Sequence, residues 1–484
     1  MVRLLTVLLV AGCILGGFAI VAAEEPDVDN PDPFAAFWNS VMKHPFKDTG
    51  VFDEQTTFGY MMNNLELGGY LRLRYETTEF RPVPRVFGPY PIAPGGAALG
   101  QFGDNWKDWL SSRIQFSMLV PVTEDLSFYG EAINLNVIGP KSRFRTTPGG
   151  VPNEAPDIHD PEIEAYQAYA RWNNFLTRGL DVRVGRQELN YGEGWLISNQ
   201  PFYAGFSWDA AKVSLQTEQA TFDFLAAEVS SIYKPSGPTY PRMYGTYITY
   251  NLQQEEGTRT ALDLFGFYTT DEMKKWDLGV KSDFVDEARY TVGGRLYGLF
   301  LPDVDYDING AYQFGRTGAD ISSPERRDDV SAYAIEGRLG KTFQDVTWTP
   351  RVGGKIGYAT GDNNPNDNDN DAYNPLYRNL HAMNGYSDIM KFSNLIDYAV
   401  EASVKPYESV ILGTEGHIFQ FADRPAGTSN KLGKELDLFA KVRATKNLNF
   451  EAAWAYFHQD EAFRDQTGSR EHSNRVYFNV EYAF

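Results

Sequence analysis

The chain has 484 residues and a net charge of −20; 14% of its residues are aromatic, with 29 Tyr, 32 Phe and 9 Trp beside 44 Gly. The acidic balance speaks against nucleic acid as a partner. Past the amino terminus no stretch approaches the ~18–20 apolar residues of a membrane helix. The mean hydropathy of −0.40 therefore fits either a soluble protein or a β-barrel, whose lipid-facing and lumen-facing residues alternate and cancel.

Arg3 forms a short positive region, the residues from Leu4 to Val21 are mostly apolar, and Val21-Ala22-Ala23 offers small residues for cleavage before Glu24. This predicts a secretory signal over residues 1–23. Cys13, the only cysteine, lies inside it, so the mature chain forms no internal disulfide. Val10-Ala11-Gly12-Cys13 faintly resembles a lipoprotein box, but the apolar run continues past it. Residues 24–60 are expected to be a periplasmic or interfacial segment with a short amphipathic helix before the barrel. Asp32 caps this helix, Pro33 sits in its first turn, Phe34, Phe37, Trp38 and Val41 share one face, and Pro45 ends it.

From Leu65 onward the period becomes two. Leu65, Leu67, Leu71 and Leu73 oppose Glu66, Tyr70, Arg72 and Arg74, and Ile114, Phe116, Met118 and Val120 oppose Arg113, Gln115 and Ser117. Strands are predicted at 65–79, 108–123, 126–138, 162–174, 180–192, 206–218, 220–231, 243–254 and 258–270. The second half gives 289–300, 304–316, 329–343, 346–361, 392–406, 408–421, 433–446, 448–460 and 475–484. Tight connections at Thr123–Leu126, Gln219, Phe343–Val346, Pro406–Glu408 and Lys446–Leu448 alternate with long polar ones at 80–107, 141–160, 272–288, 362–391 and 461–474. That alternation predicts an all-β fold: a single transmembrane antiparallel β-barrel of about 18 strands over 61–484, in the cell outer membrane. The last strand presents Val476, Phe478, Val480, Tyr482 and Phe484 on one face. Phe478, Tyr482 and the terminal Phe484 resemble the signal read by the barrel-assembly machinery.

Three segments resemble the bacterial alginate-export outer-membrane family. Val182-Arg-Val-Gly-Arg-Gln-Glu-Leu-Asn-Tyr-Gly192 is followed by Trp208-Asp-Ala-Ala-Lys-Val213, with Ala210 where the family has glycine and Trp195 where an arginine is common. Thr360-Gly-Asp-Asn-Asn-Pro-Asn-Asp367 continues through Asn374-Pro-Leu-Tyr377, His381, Gly385-Tyr386 and Ser393-Asn-Leu395, and the third segment is Lys434-Glu-Leu-Asp-Leu438. The likeness covers about 180–484, and more weakly 65–179. It implies an 18-stranded channel that passes an anionic exopolysaccharide through an arginine-lined constriction. The partners expected are outer-membrane lipids and lipopolysaccharide, the barrel-assembly machinery, the anionic polysaccharide and a periplasmic export scaffold.

The residues themselves assign Arg72, Arg74, Arg113, Arg171, Arg183, Lys212, Arg295, Arg338, Arg351, Lys355, Lys441 and Arg443 to the lumen. Arg186 joins them only if Gly185 makes a bulge, because a charge on the lipid face costs ~2–4 kcal/mol at mid-membrane. Guanidinium groups grip carboxylates in bidentate fashion and stay charged, which suits uronate polymers. The same face carries Asp263, Asp305, Asp307, Glu336, Asp397, Glu401, Glu415, Asp437, Glu451 and Glu481, so a lumen stitched by Arg–carboxylate pairs is the competing reading.

Asp367, Asp369 and Asp371 have calcium-loop spacing, but no Gly and Glu follow at the required positions, so a solvated tip is expected. His44, His159, His381, His417, His458 and His472 show no ligand spacing; neither metal nor cofactor is expected. The long loop 362–391, with Leu376, Tyr377, Leu380 and Met383, is expected to fold over or into the mouth as a gate, its four aspartates remaining at the wet tip. A diffusion porin for small anionic sugars would need the same arginines. A barrel lipase would need a Ser–His pair on the lipid face, where His458 has no serine neighbour on its strand, so no enzyme is expected.

Overall fold

A computed structural model describes residues 42–79, 107–138, 160–230, 239–273, 287–317, 327–467 and 472–484, apart from positions 48, 54, 203, 204, 256, 363, 365 and 366. The signal segment, most of the helix expected between Asp32 and Pro45, and most of the connections 80–107, 141–160 and 272–288 lie outside the described residues.

Alternating apolar and polar residues produce eighteen long strands, each at one of the expected places. The first nine are β1 (Glu66–Glu79), β2 (Lys107–Pro121), β3 (Leu126–Ile138), β4 (Asp160–Trp172), β5 (Leu180–Gln187), β6 (Trp208–Gln216), β7 (Ala220–Val229), β8 (Thr239–Glu255) and β9 (Thr258–Met273). The second nine are β10 (Ala288–Leu301), β11 (Val304–Arg316), β12 (Asp329–Thr342), β13 (Arg351–Ala359), β14 (Leu395–Tyr407), β15 (Val410–Gln420), β16 (Lys431–Arg443), β17 (Leu448–Gln459) and β18 (Ser473–Ala483). Each pairs antiparallel with its sequence neighbours, and β18 closes on β1 with Leu71 opposite Tyr482 and Arg74 opposite Asn479. Phe484 exchanges backbone hydrogen bonds with Gly69 at 2.8 and 3.0 Å. A Cβ on Gly69 would lie 2.3 Å from the Phe484 ring, so the glycine makes room for the terminal aromatic. Closure leaves the barrel without a sheet edge, as a lipid-embedded sheet requires.

The outer face is apolar. Leu73, Ile114, Phe116, Met118, Phe224, Leu264, Ile308, Ile335, Val352, Val400 and Leu438 are large and exposed, the inverse of a soluble protein. Tyr244, Tyr268, Tyr290 and Phe314 form a row of rings 6.2, 5.0 and 5.1 Å apart across four strands, an aromatic belt of the kind found at membrane interfaces. The short turns share one end with residue 66 and the carboxy terminus, and the long connections share the other.

Several boundaries differ from the sequence expectation. β13 begins at Arg351 rather than 346, because Trp348 and Thr349 both have left-handed φ (66° and 42°), which ends extended pairing. β5 ends at Gln187 rather than 192, since the chain turns at Gly192 and Gly194, both with positive φ. A helix the sequence reading omitted, α1 (Thr57–Asn63), precedes β1, with Thr56 Oγ1 accepting from Gly59 N at 3.0 Å as its cap.

Candidate functional site

Two connections from the long-loop end fold into the barrel. Residues 188–207 join β5 to β6, and 360–394 join β13 to β14. Their apolar residues explain the inward turn. Leu189, Trp195, Leu196 and Ile197 from the first, with Tyr373, Ile389, Met390 and Phe392 from the second, build one core. Inward wall residues such as Met243, Phe265, Ala332 and Phe419 complete it. Burying such side chains contributes about 1.5–3 kcal/mol each against leaving them wet.

The loops are also tied to each other. Ile197 forms a parallel bridge with Tyr377, Ser198 N donates to Tyr377 O at 2.9 Å, and Asn379 N donates to Gly194 O at 2.8 Å. Gln200 Nε2 reaches the carbonyls of Tyr377 and Arg378 at 3.2 and 2.8 Å. A Cβ on Gly194 (φ +85°) would lie 3.1 Å from Asn379 Cβ, so a small residue serves that contact. Within the second loop, Asn379 caps the single turn α2 (Leu380–Met383).

Charged wall residues hold the second loop down. Glu336, fully buried, accepts from Arg378 at 2.5 Å and from Arg338 at 2.7 Å. Arg378 Nε donates to Asn384 at 2.9 Å, and its guanidinium lies 4.2 Å over the Phe392 ring. Lys355 pairs with Asp397 at 2.9 Å and donates to the Met383 carbonyl. Ser387 N donates to Glu435 at 2.7 Å, Tyr386 N to Asp437 at 3.2 Å, and Arg475 bridges Asp388 to Glu76. The His381 ring is stacked 3.4 Å from Phe202 of the first loop and 4.9 Å from Tyr386. Burial pushes the His381 imidazole below its ordinary value, against the opposing pull of Asp388.

The sequence-assigned basic residues divide by environment. Arg72 and Arg113 donate to the Pro201 carbonyl at 2.7 and 3.3 Å, and Arg74 lies 3.9 Å over the Phe202 ring. Arg475, absent from the expected set, joins them 5.2 Å from the same ring. Four guanidinium groups thus surround the tip of the first loop. Arg295 is held by Asp307 (2.9 Å), Glu193 (3.0 Å) and Asp263 (3.8 Å). Arg351 pairs with Asp305 and Glu401, Lys212 with Asp223 (2.7 Å), Lys441 with Glu451 (3.5 Å) and Arg171 with Asp181 (3.6 Å). Among the described residues, Arg183 and Arg443 have no ion-pair partner, and Arg183 lies 4.7 Å over Tyr169.

Arg186 departs from the lumen set. The register runs unbroken through Gly185 and Arg186, opposite Ala210 and Asp209, with no bulge in β5. The bulge lies instead in β4, where Tyr166 is the extra residue. Arg186 therefore shares the outer face with Val184 and Ala211, and forms a bidentate pair with Asp209 at 2.8 and 3.1 Å. The pair sits at the long-loop end of the strands, and Asp209 supplies the compensating charge that makes an outward arginine tolerable.

Asp367, Asp369 and Asp371 lie at an exposed tip as expected; Asp362 does not, being buried with Asn364 N donating to it at 3.0 Å. Below the loops a cavity of about 390 Å³ remains. Arg259, Arg295, Arg338, Arg351 and Lys355 line it together with Glu193, Asp305, Asp307, Glu401 and Glu415, so its wall is charge-balanced.

Comparison with known proteins follows this geometry. No curated protein matches the chain significantly. Among solved structures, Pseudomonas aeruginosa OpdK with vanillate superposes at a TM-score of 0.57 with 10% identity, covering 87% of this chain and 98% of that one. Pseudomonas aeruginosa OccK2 (OpdF) in complex with glucuronate gives 0.54, 10%, 87% and 98%. A BenF-like porin from Pseudomonas fluorescens Pf-5 gives 0.54, 11%, 88% and 99%. At these identities the likeness is one of fold, that of an outer-membrane channel barrel. The family model described as alginate export matches residues 145–477, which span both folded-in loops and most of the barrel. The chain is an outer-membrane β-barrel of the alginate-export family.

Proposed function

We propose that the barrel passes an acidic polysaccharide through its lumen, with the loops 188–207 and 360–394 restricting the path. The observation that carries this reading is the gathering of Arg72, Arg74, Arg113 and Arg475 around Pro201 and Phe202. Once the loop tip withdraws, Arg72 and Arg113 lose their carbonyl partner and border the opening as bidentate partners for a uronate carboxylate, with Arg74 and Arg475, both beside Glu76, adding positive charge next to them. The charge-balanced cavity beyond supports the same reading. Paired arginines there offer exchangeable, weak contacts, which a translocation path needs if the polymer is to move on. The barrels solved with vanillate and glucuronate were solved with carboxylates, the chemistry proposed for this lumen. A periplasmic scaffold delivering the polymer belongs to the same proposal.

A diffusion porin for small anionic sugars is the second reading, and the cavity volume favours it, since about 390 Å³ suits a sugar unit rather than a polymer. Both readings require anion preference. In planar bilayers under a salt gradient, the reversal potential is expected to report anion selectivity, and clear cation selectivity would reject both. Replacing Arg183 and Arg351 together by Gln should shift the reversal potential toward cations more than the same charge change in an external loop. Removing Arg351 leaves Asp305 and Glu401 uncompensated inside the lumen, where the change acts on the path itself. Heat-modifiable migration on gels checks that the variant barrel is folded.

A further inference from the structure

We propose that Glu415, His417 and Asp437 form a binding site in the barrel wall for a divalent cation of the zinc class. The site follows from strand geometry. Glu415 and His417 are two apart on β15 and so share the inner face, and Asp437 stands directly opposite Glu415 on β16. One ligand atom from each lies within 4.8 Å of the others. His417 Nε2 is 3.0 Å from Glu415 Oε1 but is not aligned for a hydrogen bond with it. Tetrahedral bonds of about 2.0–2.2 Å place two ligand atoms roughly 3.3–3.6 Å apart, which a slight opening of this pair reaches.

Two further observations point to a ligand. Asp437 is fully buried, and its Oδ1 has no hydrogen-bond partner, although Tyr386 N satisfies Oδ2. A buried carboxyl oxygen without a hydrogen-bond partner calls for an explanation, and a bound ion is one. His417 is also oriented from behind. Its Nδ1 donates to Asp397 Oδ1 at 2.8 Å, and Lys355 holds the other oxygen of Asp397 at 2.9 Å. That bond engages Nδ1, so Nε2, which faces the two carboxylates, is the nitrogen that ligates once an incoming metal displaces its proton. A carboxylate behind a histidine behind a vacant coordination direction is how metal-ligating histidines are set. Three carboxyl groups, Glu415, Asp437 and the neighbouring Glu435, converge beside His417, and a divalent ion would offset the charge they carry when deprotonated. Glu415 also lines the lumen cavity, which supplies an entry path and room for water as a fourth ligand.

The test uses the full-length barrel in detergent, stripped with a chelator, desalted and titrated with Zn²⁺ by calorimetry, with bound metal counted by elemental mass spectrometry. His458 and His472, whose rings stack at 4.2 Å on another part of the barrel, could hold zinc themselves, so every measurement is made in a His458→Gln background. One ion per barrel is expected, lost in His417→Gln and in Asp437→Asn. Asp397→Asn, which touches no proposed ligand atom but removes the orienting carboxylate and the charge paired with Lys355, is expected to weaken affinity ~10–100-fold without abolishing binding. The proposal is overturned if the stripped His458→Gln barrel takes up no Zn²⁺, or if His417→Gln or Asp437→Asn binds it unchanged. Should His417→Gln fail to fold, the parent titration and the two aspartate variants still decide.

Discussion

Deletion of residues 363–388 is expected to raise single-channel conductance several-fold while the barrel still assembles. The loop occupies lumen volume that an open barrel of 16–18 strands leaves to water. Tyr373, Met390 and Phe392 seal it against the wall, and Tyr377 ties it to Ile197 of the other loop. None of the eighteen strands depends on the deleted residues for its main ladder. The charges that hold the loop (Glu336, Lys355, Glu435, Asp437 and Arg475) would be rehydrated rather than stranded once it is gone, so the barrel should not be the part that fails. Unchanged conductance in a folded deletion variant would mean that the loop does not limit the path.

The second large effect is expected from Glu336→Gln. Glu336 accepts from Arg378 of the loop at 2.5 Å and from Arg338 of the wall at 2.7 Å, and both Glu336 and Arg378 are excluded from solvent. Removing one partner of a buried pair destabilises by about 3–5 kcal/mol, because the remaining charge is left uncompensated. Arg378 can escape that cost by leaving with its loop, whereas the wall strands cannot move. The free energy therefore appears as loop release. A shift of that size corresponds to a hundredfold or greater change in the opening equilibrium, at 1.4 kcal/mol per tenfold. Amide exchange over 373–390 should accelerate while exchange in β12 and β13 stays slow, and open-state current should become more frequent. Global loss of heat-modifiable migration instead would place Glu336 in the barrel's own stability.

The fold was legible in the sequence because its signal is local. Period-two alternation in Leu71, Leu73 and Tyr75, or in Phe478, Val480 and Tyr482, fixes which face meets lipid, and tight turns fix the neighbours. The inward fold of the loop 362–391 was legible for a similar reason, since Tyr377 and Met383 are apolar residues stranded in a polar loop. The partner loop 188–207 was not anticipated as a plug. Leu189 and Tyr191 extend the alternation of β5, and only the left-handed backbone at Gly192 and Gly194 turns them inward. Arg186 was assigned to the lumen on the condition of a bulge, which the chain places at Tyr166 instead. The Glu415–His417–Asp437 group also needs cross-strand register, which a search for ligand spacing along the chain does not supply. Arg475 and Arg378 act through contacts far away in sequence, with Glu76 and Glu336, and no periodicity announces those.

The central claim, passage of an acidic polymer past guanidinium groups, is tested most directly by current block in single channels carrying the 363–388 deletion. Oligouronates added on the side of the short turns are expected to interrupt the current with dwell times that lengthen with chain length and shorten with added salt, as screened charge contacts require. Neutral oligosaccharides of the same length should pass with little interruption. Equal block by neutral and acidic chains, or block by uronate monomers that does not grow with length, would contradict it.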